Sequence, residues 1–327
     1  MIPKPVFRPP FNMTRASHVV LGVADLARSR AFYVDTIGFV VTAEEPNRLY
    51  LRGLEEACHH SLVLEAASHA TCRRVGMRVL TDEDLDGAKA YFEAAGLQAR
   101  WTEVEHQGRT LHTADPAGVP LEICATMETR PRQILVASAF HGGCPQRLDH
   151  FQVLTPQVTE SLHFYTAMGF RLSEYIAMDG VEEPTAVFLQ RKGNPHDIVF
   201  ARGEGPRLHH AAFVVPETYH LMFVCDQLAE NGFGGNVEFG PNRHFAPGFA
   251  RFVYLRDPDG HRIELFTTHY QTIDSEDEPV RWNVSQLGRG WGARPPESWF
   301  SQATAFSGVA MREGSDAPAF GQHLKPR

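Results

Sequence analysis

Three residues in the second half of the chain could share one metal ion: His150, His210 and Glu264. Two imidazoles and one carboxylate on a single face of an octahedral ion leave three positions open, the arrangement typical of non-haem Fe(II) oxygen chemistry. Open positions indicate catalysis rather than a structural role. The chain has 17 histidines, and any one of them is more often a surface or core residue than a ligand, so the case rests on the elements that carry these three. His150 lies on an opening strand, RLDHFQV, His210 on HHAAFVV and Glu264 on HRIELF. Alternation along strands turns the three side chains towards one cavity, and the same rule sends the neighbouring His209 to the opposite face.

An internal repeat supplies the control. Ser17-His18-Val19-Val20 leads to AFYVDTIGF (31 to 39), as Asp149-His150-Phe151-Gln152 leads to HFYTAMGF; later, DPAGVPLEIC (115 to 124) is echoed by DPDGHRIELF (257 to 266). Each echo reads as strand, turn, helix and glycine stop, or as an Asp-Pro-x-Gly turn entering an alternating strand. A weaker repetition inside each half gives four similar units, which predict an α+β fold of two tandem domains around curved sheets. The expected boundaries are 14–130, 146–270 and a tail, 271–327, that is irregular with a mobile final stretch. Aligning the halves sets His18 opposite His150, Glu122 opposite Glu264 and Val75 opposite His210. The first domain, short of one ligand, is expected to be a scaffold.

Composition narrows the partner. The chain of 327 residues carries a net charge of -8 and a pI near 6.1, with no Lys/Arg cluster, which argues against a nucleic-acid surface. No stretch approaches the ~20 apolar residues of a membrane span, and the start of the chain lacks a secretory core. The expectation is a cytoplasmic protein with a small-molecule substrate. Cys58, Cys72, Cys124, Cys144 and Cys225 form an odd, scattered set, which suits a reducing compartment rather than a disulfide framework.

The motifs RLDHFQV, RKGNPHDIVF, GPRLHHAAF and YLRDPDGHRIELFT, taken in order, resemble the type I extradiol dioxygenases of the vicinal oxygen chelate superfamily; NVSQLGRGWG and PESWF extend the resemblance into the tail. The resemblance implies tandem domains of paired βαβββ modules, an Fe(II) in the second domain with Mn(II) as an alternative, and O2 as co-substrate. It implies cleavage of a catechol to a muconic semialdehyde-type product in aromatic degradation. His196 then corresponds to the family's acid/base histidine, Tyr254 to the tyrosine that hydrogen-bonds the bound substrate oxygen, and His244 to a histidine near the substrate. It also implies a homo-oligomer, commonly a tetramer.

Four positions depart from the relative that binds a carboxylate-bearing catechol. Phe239 stands at one of its arginines, Gly288-Arg289 replaces an arginine pair, Phe188 stands for tryptophan and Gln152 for asparagine. Loss of a fixed cation removes bidentate carboxylate recognition, so the expected substrate is a small aromatic diol without a carboxylate. The alternatives are cleavage of a carboxylated catechol, a glyoxalase-like metal-dependent isomerase, and a ligand-sequestering module, the last disfavoured by the intact His/His/Glu set.

Overall fold

The computed structural model describes residues 2–313, apart from 245, 247 and 290 and the side chains of 288 and 289. The repeat folds into four copies of one βαβββ unit. The first comprises β1 (Met13–Val23), α1 (Leu26–Arg30), β2 (Val40–Glu45), β3 (Arg48–Arg52) and β4 (Leu62–Ala66); α1 continues as a π-helical segment, Ala31–Ile37. The second comprises β5 (Thr71–Val79), α2 (Asp82–Ala94), β6 (Ala99–Thr102), β7 (Thr110–Ala114) and β8 (Pro120–Cys124). The third has β9 (Arg147–Thr155), α3 (Val158–Ala167), β10 (Arg171–Ala177), β11 (Pro184–Gln190) and β12 (Ile198–Arg202). The fourth has β13 (Arg207–Val214), α4 (Thr218–Glu230), β14 (Val237–Arg243), β15 (Arg251–Arg256) and β16 (Arg262–Phe266).

The local signals behave as their chemistry requires. Thr81 and Asp84 form a reciprocal capping box at the start of α2, satisfying backbone donors that would otherwise be orphaned. The first helical segment stops at Gly38, whose φ of 97° is open to glycine at little cost. In the two Asp-Pro-x-Gly turns, Asp115 Oδ1 accepts from Val119 N at 2.9 Å, and Asp257 Oδ1 from His261 N at 2.7 Å.

Within each unit the first strand runs parallel to the last, and two units join through antiparallel first strands. The first sheet has the order β2-β3-β4-β1-β5-β8-β7-β6, and the second has β14-β15-β16-β13-β9-β12-β11-β10. The tail is largely irregular but docks short elements on the second sheet. β17 (Val280–Asn283) lies parallel to β10, and β18 (Thr304–Ala305) pairs with β13 after the short helix α5 (Glu297–Ser301). Residues 314–327, including the stretch expected to be mobile, lie outside the described residues.

Alternation sorts the strands of the second sheet. Phe151 and Val153, Ala211 and Phe213, and Ile263 and Leu265 turn to one face and join a core that runs through both halves. Each buried Val, Leu, Ile or Phe side chain among them contributes roughly 1.5 to 3 kcal/mol. Two ties cross between the halves in a reciprocal pattern: Tyr33 donates to Asp257 Oδ2 at 2.9 Å, and Tyr165 donates to Asp115 Oδ2 at 3.2 Å. Phe39 and Phe213 meet edge to face beside them, with ring centroids 4.7 Å apart.

The observed register corrects the alignment of the halves at one position. His18 pairs with Gly76 and Val20 with Arg74, as His150 pairs with Ala212 and Gln152 with His210. The counterpart of His210 is therefore Arg74, not Val75. Both strands carry a bulge at the equivalent point, which a residue-by-residue alternation does not anticipate. Glu122 in the first half accepts from Gln107 Nε2 at 2.6 Å and lies 2.8 Å from His18 Nε2 and 2.7 Å from His112 Nε2. These partners occupy its lone pairs without an ion.

Candidate active site

His150 on β9, His210 on β13 and Glu264 on β16 are buried and converge from three adjacent strands. His150 Nε2 lies 3.4 Å from Glu264 Oε2, His210 Nε2 lies 3.1 Å from the same oxygen, and the two ring nitrogens are 3.4 Å apart. Donors about 3.1 Å apart are expected of neighbouring positions on an octahedral ion with bonds near ~2.2 Å. The three pairs lie at or within a few tenths of an ångström of that spacing, so these residues would fit one face of such an ion.

The remaining ring nitrogens show whether lone pairs point inward. His150 Nδ1 lies 2.9 Å from Asp149 Oδ2, an acceptor, so Nδ1 carries the proton and Nε2 presents its lone pair. For His210 the assignment passes through His209. His209 Nε2 lies 2.6 Å from the Trp299 carbonyl oxygen and must donate; its Nδ1 is then an acceptor, 2.7 Å from His210 Nδ1. That contact places the proton of His210 on Nδ1 and frees its Nε2. Burial, reinforced by Arg262, holds His209 well below the usual histidine range and keeps it neutral. Two lone pairs and a carboxylate facing one point fit a divalent cation. His209 was expected to face away from the site; the bulge between Leu208 and His210 instead leaves its ring 5.0 Å from that of His210.

Burial alone would raise Glu264, but its close histidine neighbours, His150, His210 and His244, outweigh it and hold the carboxylate well below its usual range. His244 Nε2 bridges Glu264 Oε1 at 3.1 Å and the Tyr254 hydroxyl at 3.3 Å. Tyr254 is set by the register of β15, directly opposite Glu264. On the other side, the His196 ring stands 4.1 Å from that of His150 and 5.3 Å from that of Phe188. His196 is buried with Nδ1 unpartnered, and burial holds it well below the usual range. Gln152, cross-strand from His210, has a buried, unpartnered Nε2. Phe239 stacks on Tyr254, with centroids 6.0 Å apart and planes within 6°. The Arg289 side chain lies outside the described residues.

A family model, the Glyoxalase/Bleomycin resistance protein/Dioxygenase superfamily, matches residues 15–123 and 147–265. The chain belongs to this superfamily. Among its relatives, a manganese-dependent 2,3-dihydroxybiphenyl 1,2-dioxygenase of Geobacillus genomosp. 3 is 28% identical over 85% of this chain and 93% of its own length. A metapyrocatechase of Geobacillus stearothermophilus is 28% identical over 90% of this chain and 95% of its own. A solved homoprotocatechuate 2,3-dioxygenase variant from B. fuscum superposes with a TM-score of 0.91 at 35% identity, covering 96% of this chain and 89% of that one. The tandem α+β fold and the kinship with extradiol dioxygenases expected from the sequence are borne out.

This superfamily member also places at the site residues that the sequence did not single out. Asn194 Nδ2 donates to both oxygens of Asp149, at 2.7 and 2.8 Å. Burial would raise Asp149, yet Lys192 and the His150 contact hold it down at about 2, so it remains the anionic anchor of His150. His269, five residues beyond Glu264, stacks on Phe266 at 4.5 Å and lies 4.7 Å from His196. Burial lowers it to about 3. Asp149 could have been found as the carboxylate next to a ligand; His269 follows the last strand of its unit, where no period marks it.

Proposed function

We propose that the chain is a metal-dependent extradiol dioxygenase that opens a substituted catechol with O2 to a muconic semialdehyde-type product. The observation that carries this reading is the convergence of His150 Nε2, His210 Nε2 and Glu264 Oε2 at 3.1 to 3.4 Å, with the partner of each imidazole directing its lone pair inward. His150, His210 and Glu264 would hold a divalent ion, which when bound would supply the Lewis-acid and oxygen-activating chemistry of the ring opening.

The protein's own groups then handle protons and orientation. The Tyr254 hydroxyl and His244 Nε2 lie 3.3 Å apart beside Glu264 Oε1, where His244 can accept the proton that a diol oxygen gives up and the Tyr254 hydroxyl can donate a hydrogen bond to the oxygen left behind. His196 is kept neutral by burial, so it can take a proton from the reacting ring and return it. Phe188 packs the edge of His196, and the free amide of Gln152 offers a donor to the substrate. Burial of this wall excludes water and holds the diol close to the groups that act on it.

Fe(II) is the ion we assign. Mn(II) is the second reading, favoured by the relative named as manganese-dependent. For the substrate we assign a catechol without a carboxylate, because Phe239 is locked in an aromatic group with Phe252, Tyr254 and Trp299. The likeness to homoprotocatechuate 2,3-dioxygenase favours a carboxylated catechol as the alternative. A homotetramer in the cytoplasm, with domains at 14–130 and 146–270, completes the proposal. No helix among the described residues is long and apolar enough to cross a membrane.

The test is oxygen uptake with anaerobically prepared, Fe(II)- or Mn(II)-loaded protein and a panel of alkyl, chloro, hydroxy and carboxymethyl catechols, followed by the yellow absorbance of the ring-opened product. Stoichiometric uptake with that absorbance supports cleavage. A highest kcat/KM for the carboxymethyl compound overturns the substrate assignment, and no uptake from any catechol at one ion per chain overturns the reaction.

A further inference from the structure

The second sheet carries a buried carboxylate on its site-facing side to which the ring-opening reaction gives no role. Glu174 of β10 pairs with Phe188, Phe188 with Val199, Val199 with Gln152 and Gln152 with His210. Residues paired across strands share a face, so Glu174 stands in one row with Phe188, Gln152 and a metal donor. It is fully buried, and burying a carboxylate is costly unless hydrogen bonds take up its lone pairs.

Three neutral donors take them up, each from a different segment. Oε1 accepts from Gly248 N at 3.0 Å and from the Tyr270 hydroxyl at 2.7 Å, and Oε2 accepts from Trp282 Nε1. Every one of these partners donates, the pattern that suits an ionised carboxylate. The segments come from opposite ends of the sheet. Gly248 lies on the turn joining β14 to β15, at one end of the strand order, whereas Glu174 on β10 and Trp282 on β17 lie at the other. The strands carrying His150, His210 and Glu264 run between them. A second contact follows the same route, since the Phe249 and Trp282 rings meet edge to face with centroids 5.7 Å apart. Tyr270 comes from the irregular segment after β16, immediately beyond His269. The two ends of the sheet therefore meet across the site at one carboxylate.

The turn matters because of the residue at its base. His244 N donates to the Ala250 carbonyl at 2.9 Å, which closes the turn, while His244 Nε2 reaches Glu264 Oε1 and the Tyr254 hydroxyl. Holding Gly248 thus holds the backbone from which His244 projects. We propose that Glu174 is a positioning residue, which clasps the Gly248 turn, the His269–Tyr270 segment and β17 together and so sets His244 in place beside Glu264. Its effect on turnover rests on the extradiol reading of the site; the clasp itself does not.

The experiment compares the full chain, loaded anaerobically with Fe(II), with Glu174→Gln, which keeps the shape but turns one acceptor into a donor. Hydrogen–deuterium exchange should rise about ten-fold or more in peptides spanning Gly248, Tyr270 and Trp282, with the peptides of β1 to β8 and the iron content unchanged. Unchanged exchange around Gly248 overturns the clasp, whether or not any catechol is cleaved. In steady-state kinetics Glu174→Gln should lower kcat/KM for catechol about ten-fold or more, yet lower it by less than about two-fold when added to His244→Gln. An equal loss in both backgrounds means that Glu174 does not act through His244 and overturns the positioning role. If the loaded wild type cleaves no catechol, the extradiol reading fails and the exchange result alone decides the clasp. Should Glu174→Gln not fold, Tyr270→Phe removes one donor and leaves the carboxylate in place. Exchange around Tyr270 and Gly248 should then rise roughly three-fold, and no rise overturns the proposal.

Discussion

One proton is shared between His209 and His210, whose Nδ1 atoms are 2.7 Å apart, and it belongs to His210 because His209 gives its own to the Trp299 carbonyl. A segment near the end of the chain thereby sets the tautomer of a metal donor through a neighbouring ring. Replacing His209 with Phe keeps the bulk and removes the acceptor. Changes of this kind cost about 10- to 100-fold in metal affinity, and that loss is expected for His209→Phe in a chelator-competition titration. His209→Gln, whose amide oxygen can accept, should lose less; equal affinity in all three proteins would show that the relay does not orient the ligand.

His210 and His196 lie on either side of His150 but should fail differently. His210→Ala is expected to lose the Fe(II) held with His150 and Glu264, measured by elemental analysis of iron after anaerobic loading and desalting. His196→Asn should retain the metal while kcat drops on the order of 100-fold or more, within the range for a lost acid/base group. Full turnover of every catechol by His196→Asn would remove His196 from the proton chemistry.

Asp115 connects stability to pH. Its folded-state pKa is pushed up by burial to about 6, from 3.8. The folded protein therefore binds more protons than the unfolded chain between those values, and stability from this group is present below pH ~4 and lost as pH rises through about 6. Asp115→Asn should remove that decline, by up to about 3 kcal/mol across the window. Urea unfolding of both proteins from pH 4 to 7 gives the comparison, and parallel curves would refute the assignment.

The turn at Gly248 packs on His269. Gly248 has φ of 69°, and a Cβ there would come within 2.5 Å of His269 Cδ2. Its N–H donates to Glu174 Oε1 at 3.0 Å. Gly248→Ala should raise KM for catechol several-fold by displacing this turn, beyond the ~1–2 kcal/mol cost of the left-handed backbone itself. Adding His269→Ala should recover part of the loss. Additive effects of the two changes in steady-state kinetics would mean that they do not touch.

The repeat, the four units and the convergence of His150, His210 and Glu264 were legible because they depend on short-range periodicities: glycine after a helix, the Asp-Pro-x-Gly turn and alternation along a strand. The errors cluster at one device. A bulge in β13 brought His209 beside His210, and its twin in β5 put Arg74 rather than Val75 in the equivalent place. Alternation assumes an unbroken strand, and a bulge is decided by cross-strand pairing. Trp299 and His269 escaped notice for a related reason, since each reaches the site from an irregular segment whose position follows from docking.

The reciprocal Tyr33–Asp257 and Tyr165–Asp115 bonds relate the two halves by an internal symmetry. A residue of one half contacts its partner type in the other, and the same pair recurs with the halves exchanged, which is the signature of an isologous interface between two identical subunits. The chain thus holds within one polypeptide the kind of contact that a symmetric dimer of its halves would make. Being covalently joined, the two halves never part at that contact, and they need not carry the same residues elsewhere: where the second has His210, the first has Arg74.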